Sequence, residues 1–379
     1  MKAVAVFPKK KELRVIDIDE PRIRRPDEIK LRILEVGICG TDKEIASFEY
    51  GTPPESSKYL IIGHEALAEV IEVGSNAENF DVGDLVVPSV RRPCQHSSCV
   101  PCRSGYPDFC NTGDYIERGI KGKHGFMAEY VVDQAKYMHL VPEKLREVGV
   151  LTEPLTIAEK AVVQTRQIVT RLPWLNDYVL GHVQDSKANA VVLGAGAVGL
   201  LGSMVLVNSG FDTYVYALAQ APNPSSEVVK AIGGNYYSAG KIPEEAKKRL
   251  FGRIHVIYEA TGASRLTFEV MKLLAPNSLF IMTGVPSLKG PIEFDTDSLM
   301  RNIVLKNQII FGTVNASSEN YDSAIAHIGK FSKSWPESVR ALITSRVPIE
   351  EAVDVLSKPQ RGIKTTITFD GMTGRVSAG

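Results

Sequence analysis

ANAVVLGAGAVGLLGSMVLV, residues 188–207, is the stretch on which the reading of this chain turns. It is uncharged and about as long as a bilayer-spanning helix. Its glycines argue against a membrane. Gly194, Gly196 and Gly199 stand as G-x-G-x-x-G between a short apolar run, ANAVVL, and a helical pattern that continues to about Asn208, with Gly210 placed to stop it. In that setting the first glycine permits a tight turn and the second lets backbone approach a pyrophosphate. The third lets helix and strand pack closely. Ala197 and Val198 open the helix, whose unpaired N–H groups and partial positive charge suit phosphates. The stretch reads as buried strand, phosphate-binding turn and buried helix.

Working outward, TYVYAL (213–218), RIHVIYEATG (253–262), SLFIMTGV (278–285) and NQIIFGTV (307–314) read as further strands, spaced to leave room for helices. Strands alternating with helices predict a parallel, doubly wound sheet and an α/β fold. A carboxylate at the end of the second strand would accept from a ribose 2′-OH and repel a 2′-phosphate. Here the end reads Ala217-Leu218-Ala219-Gln220, with neither an acid nor an arginine, and Asp212 sits at the wrong end. The choice between NAD and NADP stays open on these residues.

Upstream, residues 1 to about 150 look β-rich: KAVAVF, EIKLRILEV and EALAEVIEVG alternate and are punctuated by Gly, Pro and Asp. LTEPLTIAEKAVVQTRQIVTRL (151–172) then reads as a helix entered just after Pro154. From about 316 the chain returns to a helix and a closing strand, TTITF. No internal repeat or low-complexity segment interrupts this order.

Lys plus Arg equals Asp plus Glu at 44 each, so no net field favours nucleic acid or anionic lipid. The opening MKAVAVFPKKKELRV lacks the apolar core and cleavage site of a signal peptide, and a cytoplasmic protein is expected. Four of the five cysteines fall in one loop, as Cys94-x4-Cys99-x2-Cys102-x7-Cys110. In a reducing compartment such a cluster points to a metal rather than to disulfides. Four sulfurs would close a tetrahedral shell, the mark of a structural zinc site. A redox pair at Cys99 and Cys102 is the competing reading, but no βαβ unit surrounds it. His96, inside the first gap, could replace one sulfur. The fifth cysteine, Cys39 in GICGTD, precedes His64 and Glu65 in GHEA, and Glu153 follows in LTEPLT. One thiolate, one imidazole and one or two carboxylates could bind Zn²⁺ with a position left open, as catalytic zinc requires. Spacing alone does not make that case.

GHEALAEVIEVGSNAENFDVGDLVV, with Cys39-Gly40-Thr41-Asp42, the cysteine loop and GAGAVG in that order, resembles the zinc-dependent medium-chain dehydrogenases over nearly the whole chain. ICGTDKEI, VPSVRRP, YIERGIKGKHGFMAEY, VLTEPL, YEATG and FGTVNAS are similar, more narrowly, to the glucose dehydrogenases of archaea and some bacteria. The resemblance implies a β-rich, GroES-like catalytic domain over 1–152 with a cysteine lobe at 91–113, a Rossmann domain over 153–315, and a segment, 316–379, returning to the catalytic domain. It implies a catalytic zinc held by Cys39 and His64, with Glu65 and Glu153 exchanging with water, and Thr41 near the reacting oxygen. It places the sugar at Glu117, Glu153 and Asn315. It places NAD or NADP at the glycine turn and at Ala217, Leu218, Thr261, Gly284, Val285 and Asn315. The implied reaction is hydride transfer from C1 of an aldose, most simply D-glucose, giving gluconolactone. A polyol, another aldose or a secondary alcohol is the alternative, and a non-catalytic dinucleotide-binding protein a more distant one. The implied assembly is a homo-oligomer, a dimer or tetramer, with no nucleic-acid or membrane partner.

Three departures bear on this. Val90 and Ile157 stand where some relatives carry a sugar-contacting Asn and an Asp. The Cys94–Cys99 gap is two residues longer than the family's usual spacing. Leu218 and Ala219 stand where NADP-using relatives carry arginines, so the family's cofactor preference does not transfer.

Overall fold

The structure, a computed structural model, describes residues 1–171, 188–239, 253–286, 290–359, 362–369 and 374–375. The chain divides into two compact units, 1–156 with 315–379, and 157–314. The divisions fall inside a helix, Thr152–Val169, and just before Asn315, whereas the sequence reading put them at 152/153 and 315/316. Asn315 therefore belongs with the β-rich unit. The helix also starts earlier than expected. Thr152 and Glu153 precede Pro154 within its first turn. Proline is accommodated there because first-turn N–H groups have no intrahelical acceptor. Leu172, the last residue of the expected helix, lies outside the described residues.

The β-rich unit is built on an eight-stranded sheet. Its long central strand, Glu28–Gly37, pairs with Glu65–Val73, Tyr130–Gln134 and Lys364–Thr368, all antiparallel. Ile29, Leu31, Ile33 and Val36 of this strand are buried in one apolar cluster with Val4, Val6, Ile62, Ala66, Phe126 and Ile367. Burial of that set stabilises the sheet by removing apolar surface from water, and the site is mounted on its strand ends. The carboxyl-terminal strand Lys364–Thr368 is zipped into the same sheet, with Thr366 opposite Gly37. A smaller sheet joins Arg91–Arg92, Ile116–Arg118 and Gly122–Lys123 beside the cysteine loop.

The second unit carries a six-stranded, wholly parallel sheet in the order Asn235–Ser238, Asp212–Ala217, Asn189–Leu193, Ile254–Glu259, Leu274–Met282, Ile309–Gly312. In chain order this is 3-2-1-4-5-6, so the winding reverses between Asn189–Leu193 and Ile254–Glu259. The quoted stretch resolves into the strand Asn189–Leu193 and the helix Ala197–Asn208. Among the described residues, no helix is long and apolar enough to cross a membrane.

Candidate active site

Cys39 leaves the central strand and stands at the N-cap of a short helix, Gly40–Ala46, with Thr41 in its first turn. Asp42, in the same turn, is fully buried and accepts from Cys39 N at 3.0 Å and from Gly63 N at 3.2 Å. These bonds lock the two loops that present Cys39 and His64. His64 precedes the strand Glu65–Val73, and its Nε2 lies 3.2 Å from Cys39 Sγ, while Nδ1 lies 3.4 Å from Asp42 Oδ1. A carboxylate behind a histidine fixes the ring's tautomer and raises its basicity toward a metal. Burial pushes the Cys39 thiol up, while Cys39 and Asp42 hold His64 above the ordinary histidine range despite its burial.

Cys39 Sγ, His64 and the Glu65 carboxylate offer ligand atoms all within 4.8 Å of one another. Tetrahedral zinc with bonds of about 2.3 Å to sulfur and about 2.1 Å to nitrogen implies an S–N separation of ~3.6 Å, close to that seen. The donor set fits zinc with room for a further ligand. Glu153 is not among these three, but it is buried close enough for their charges to act on it. Burial pushes it up to about 7 against the pull of His64, and Glu65 adds to the rise.

Glu65 is held away from a free approach by a residue the sequence reading missed. Lys364 Nζ, 3 % exposed, donates to both Glu65 oxygens at 2.6 and 2.8 Å and to Ile38 O at 3.2 Å. The room for the carboxylate comes from Gly37, directly across the strand pair. A Cβ there would stand 2.1 Å from Glu65 Oε2. Lys364 begins the strand read as TTITF, and a lysine opening a β-branched, threonine-rich strand was the available signal.

Glu117, also buried, lies opposite Arg91 in the small sheet. Its Oε1 accepts from Arg91 Nε at 3.0 Å, Arg91 Nη2 at 2.9 Å and Asn315 Nδ2 at 2.8 Å. The Arg91 guanidinium stacks on Tyr115, 3.7 Å from the ring centroid. Glu117 and Asn315 are thus brought together, with one carboxylate oxygen saturated. Val90, at a departure position, donates its N–H to buried Tyr321.

Cys94, Cys99, Cys102 and Cys110 converge with all four sulfurs within 4.8 Å and none in a disulfide. Cys99 Sγ lies 3.9 Å from Cys110 Sγ, near the ~3.8 Å that tetrahedral zinc–sulfur bonds imply. The longer first gap is absorbed without displacing Cys94. His96 turns instead to Asp114.

In the parallel-sheet unit, Gly194 has φ +103°, and Gly199 lies so close that a Cβ on it would stand 2.2 Å from Gly194 O. Around Gly196 the space is open. Gly196 caps the helix Ala197–Asn208, leaving the first-turn N–H groups of Ala197, Val198 and Gly199 without intrahelical acceptors. Leu218 follows the second strand and is 87 % exposed. Thr261, Gly284 and Val285 follow the strands Ile254–Glu259 and Leu274–Met282.

Residues 146–369 match the family described as glucose dehydrogenase C-terminus, and residues 25–143 the alcohol dehydrogenase GroES-like domain. The chain is 36 % identical over 368 residues to the glucose 1-dehydrogenase of Methanocella arvoryzae, covering 97 % of this chain and 99 % of that one. It is 40 % identical over 356 residues to that of Thermoproteus tenax, covering 92 % and 94 %. A structure of the Haloferax mediterranei glucose dehydrogenase in complex with NADP, Zn and gluconolactone superposes with a TM-score of 0.83 at 30 % identity, covering 98 % of this chain and 99 % of that one. The chain belongs to the glucose dehydrogenase family of the zinc-dependent medium-chain dehydrogenases.

Proposed function

We propose that this protein oxidises D-glucose at C1 to gluconolactone, with zinc and NAD or NADP. The observation that carries the reading is the convergence of Cys39, His64 and Glu65 in the same unit as a buried glutamate, Glu117, that is pre-oriented by Arg91 and Asn315. The glucose 1-dehydrogenases among its relatives support the substrate.

Zinc supplies Lewis acidity toward the C1 hydroxyl when bound, and the nicotinamide supplies a hydride acceptor. Cys39 and His64 hold the metal, with Asp42 fixing the imidazole. Glu65 and Glu153 would serve as its further ligands, and Lys364 provides the resting place for Glu65. Thr41, two residues beyond Cys39, or water and Glu65, takes the proton of the C1 hydroxyl, while the hydrogen on C1 goes to the nicotinamide as hydride. Glu117 accepts from a sugar hydroxyl with its remaining oxygen capacity, and Asn315 keeps it aimed. Cys94, Cys99, Cys102 and Cys110 hold a second, structural zinc. Gly194, Gly196 and Gly199 let the pyrophosphate meet the helix N-terminus, and Ala217 and Leu218 border the adenosine ribose. Thr261, Gly284 and Val285 receive the nicotinamide half.

The protein acts in the cytoplasm as a homo-oligomer. Supporting assembly, Met300, Val304 and Leu305 are exposed on the helix Thr296–Leu305, which leads into the edge strand Ile309–Gly312. Sedimentation should give a dimer or tetramer; a monomer at micromolar concentration contradicts that.

The substrate is tested by kcat/KM for D-glucose, D-galactose, D-xylose and D-sorbitol, run with NAD and with NADP. An aldose should be preferred to sorbitol by at least about tenfold. Preference for sorbitol would move the assignment to the polyols.

A further inference from the structure

Glu259, at the carboxyl end of the strand Ile254–Glu259, is 1 % exposed, and its carboxylate ties two loops together. Its Oε1 accepts from Thr261 N at 2.6 Å, Thr261 Oγ1 at 2.5 Å and Gly262 N at 2.9 Å, and Oε2 accepts from Gly284 N at 3.3 Å. Its carbonyl accepts from Thr283 N at 2.9 Å and Thr283 Oγ1 at 2.7 Å. The loops also touch directly. A Cβ on Gly284 would stand 2.1 Å from Gly262 N, and one on Gly262 would stand 2.5 Å from Val285 O. Residues 261–262 and 283–285 are therefore one paired surface built around a buried carboxylate.

Buried charges are ordinarily matched by an opposite charge. Among the described residues, the hydrogen-bond partners of this carboxylate are all neutral N–H and O–H groups. Sheet order says what could supply the missing cation. The pyrophosphate belongs to the turn after Asn189–Leu193 and the adenosine ribose to the end of Asp212–Ala217. The other half of the dinucleotide must extend across the point of reversal, toward the ends of Ile254–Glu259 and Leu274–Met282. Oxidised nicotinamide carries a positive charge; reduced nicotinamide does not.

We propose that Glu259 is a positioning residue that shapes the nicotinamide-side loops and, through its charge, favours binding of the oxidised cofactor over the reduced. This rests on the reading of the chain as a nicotinamide-linked dehydrogenase. The consequence is a site that fills with the hydride acceptor and releases the reduced product more readily.

The test is direct titration of NADP⁺ and NADPH, and of NAD⁺ and NADH, into the zinc-loaded wild-type protein, Glu259→Gln and Glu259→Asp, without sugar. Glu259→Gln should weaken the oxidised form about tenfold more than the reduced form, the order expected for one charge–charge interaction at an effective dielectric near 20. Glu259→Asp, which keeps the charge, should hold the wild-type ratio within about twofold even where both constants rise. Equal weakening of both forms by Glu259→Gln would make the residue a structural tie only and overturn the proposal. Loss of the preference in Glu259→Asp would do the same, and that variant suffices if the Gln protein does not fold. Failure of the wild type to bind any of the four nucleotides would overturn the dehydrogenase reading itself, a separate result.

Discussion

Lys364 and Glu65 are separated by 299 residues, and each is almost fully buried against the other. In the zinc-free protein, replacing Lys364 with Met leaves the Glu65 carboxylate buried without its cation, which should destabilise the protein by about 3–5 kcal/mol in urea unfolding. A loss under about 1 kcal/mol would show that Glu65 finds its compensation elsewhere. Glu117→Gln keeps the shape but removes the charge that pairs with Arg91 and that we propose a sugar hydroxyl meets. It should lower kcat/KM for D-glucose about 10- to 100-fold with cofactor affinity unchanged; an unchanged kcat/KM would remove Glu117 from the substrate site. At this scale the sequence was legible where a motif fixes neighbours, as in Gly63-His64-Glu65 and Cys39-Gly40-Thr41-Asp42. It was not legible where the partner arrives on a distant strand. Lys364, Arg91 and Tyr321 lie in no motif that names their partners, and only sheet register delivers them.

Among the elements, the glycine turn was the most readable because its constraint is local. Gly199→Ala would drive a Cβ against Gly194 O, backbone against backbone, so no side chain can turn away. A loss of about 1–3 kcal/mol in thermal unfolding is expected, together with weaker dinucleotide binding; unchanged stability would contradict the close approach. The small sheet at 91–123 was invisible by comparison, since strands of two or three residues carry no periodicity. It is held by charge. Asp133, 2 % exposed, accepts from Arg92 Nη2 at 2.7 Å, Arg118 Nε at 2.9 Å and Lys123 Nζ at 2.9 Å. Burial alone would raise Asp133, but Arg118, Arg92 and Lys123 outweigh it and hold the carboxyl far below the usual range. A depressed folded-state value means that this contribution is complete above the unfolded carboxyl's value, about 3.9, and is lost as pH falls below it. Asp133→Asn should therefore cost several kcal/mol at pH 7, and the gap from wild type should narrow below about pH 4. A gap independent of pH would show that the carboxylate's charge is not what staples the sheet.

For the whole molecule, the texture change near residue 150 announced two units, because alternation gives way to helical spacing there. One division lies within a continuous helix, past its only proline, and the other just before Asn315 in the loop after Ile309–Gly312, so neither coincides with the end of an element. The return of 315–379 to the first unit is written in the burial of Lys364–Thr368 on both faces, a property of the assembled sheet rather than of the strand's own sequence. Zinc-dependent oxidation of D-glucose by this protein is tested by the initial rate of NAD(P)H formation from D-glucose, compared between zinc-loaded wild type and His64→Ala. Clear turnover by the wild type and a loss of about a thousandfold or more in the variant, with cofactor affinity retained, is the predicted result. No glucose turnover by the wild type with either cofactor, or a His64→Ala protein that keeps most of its rate, would contradict it.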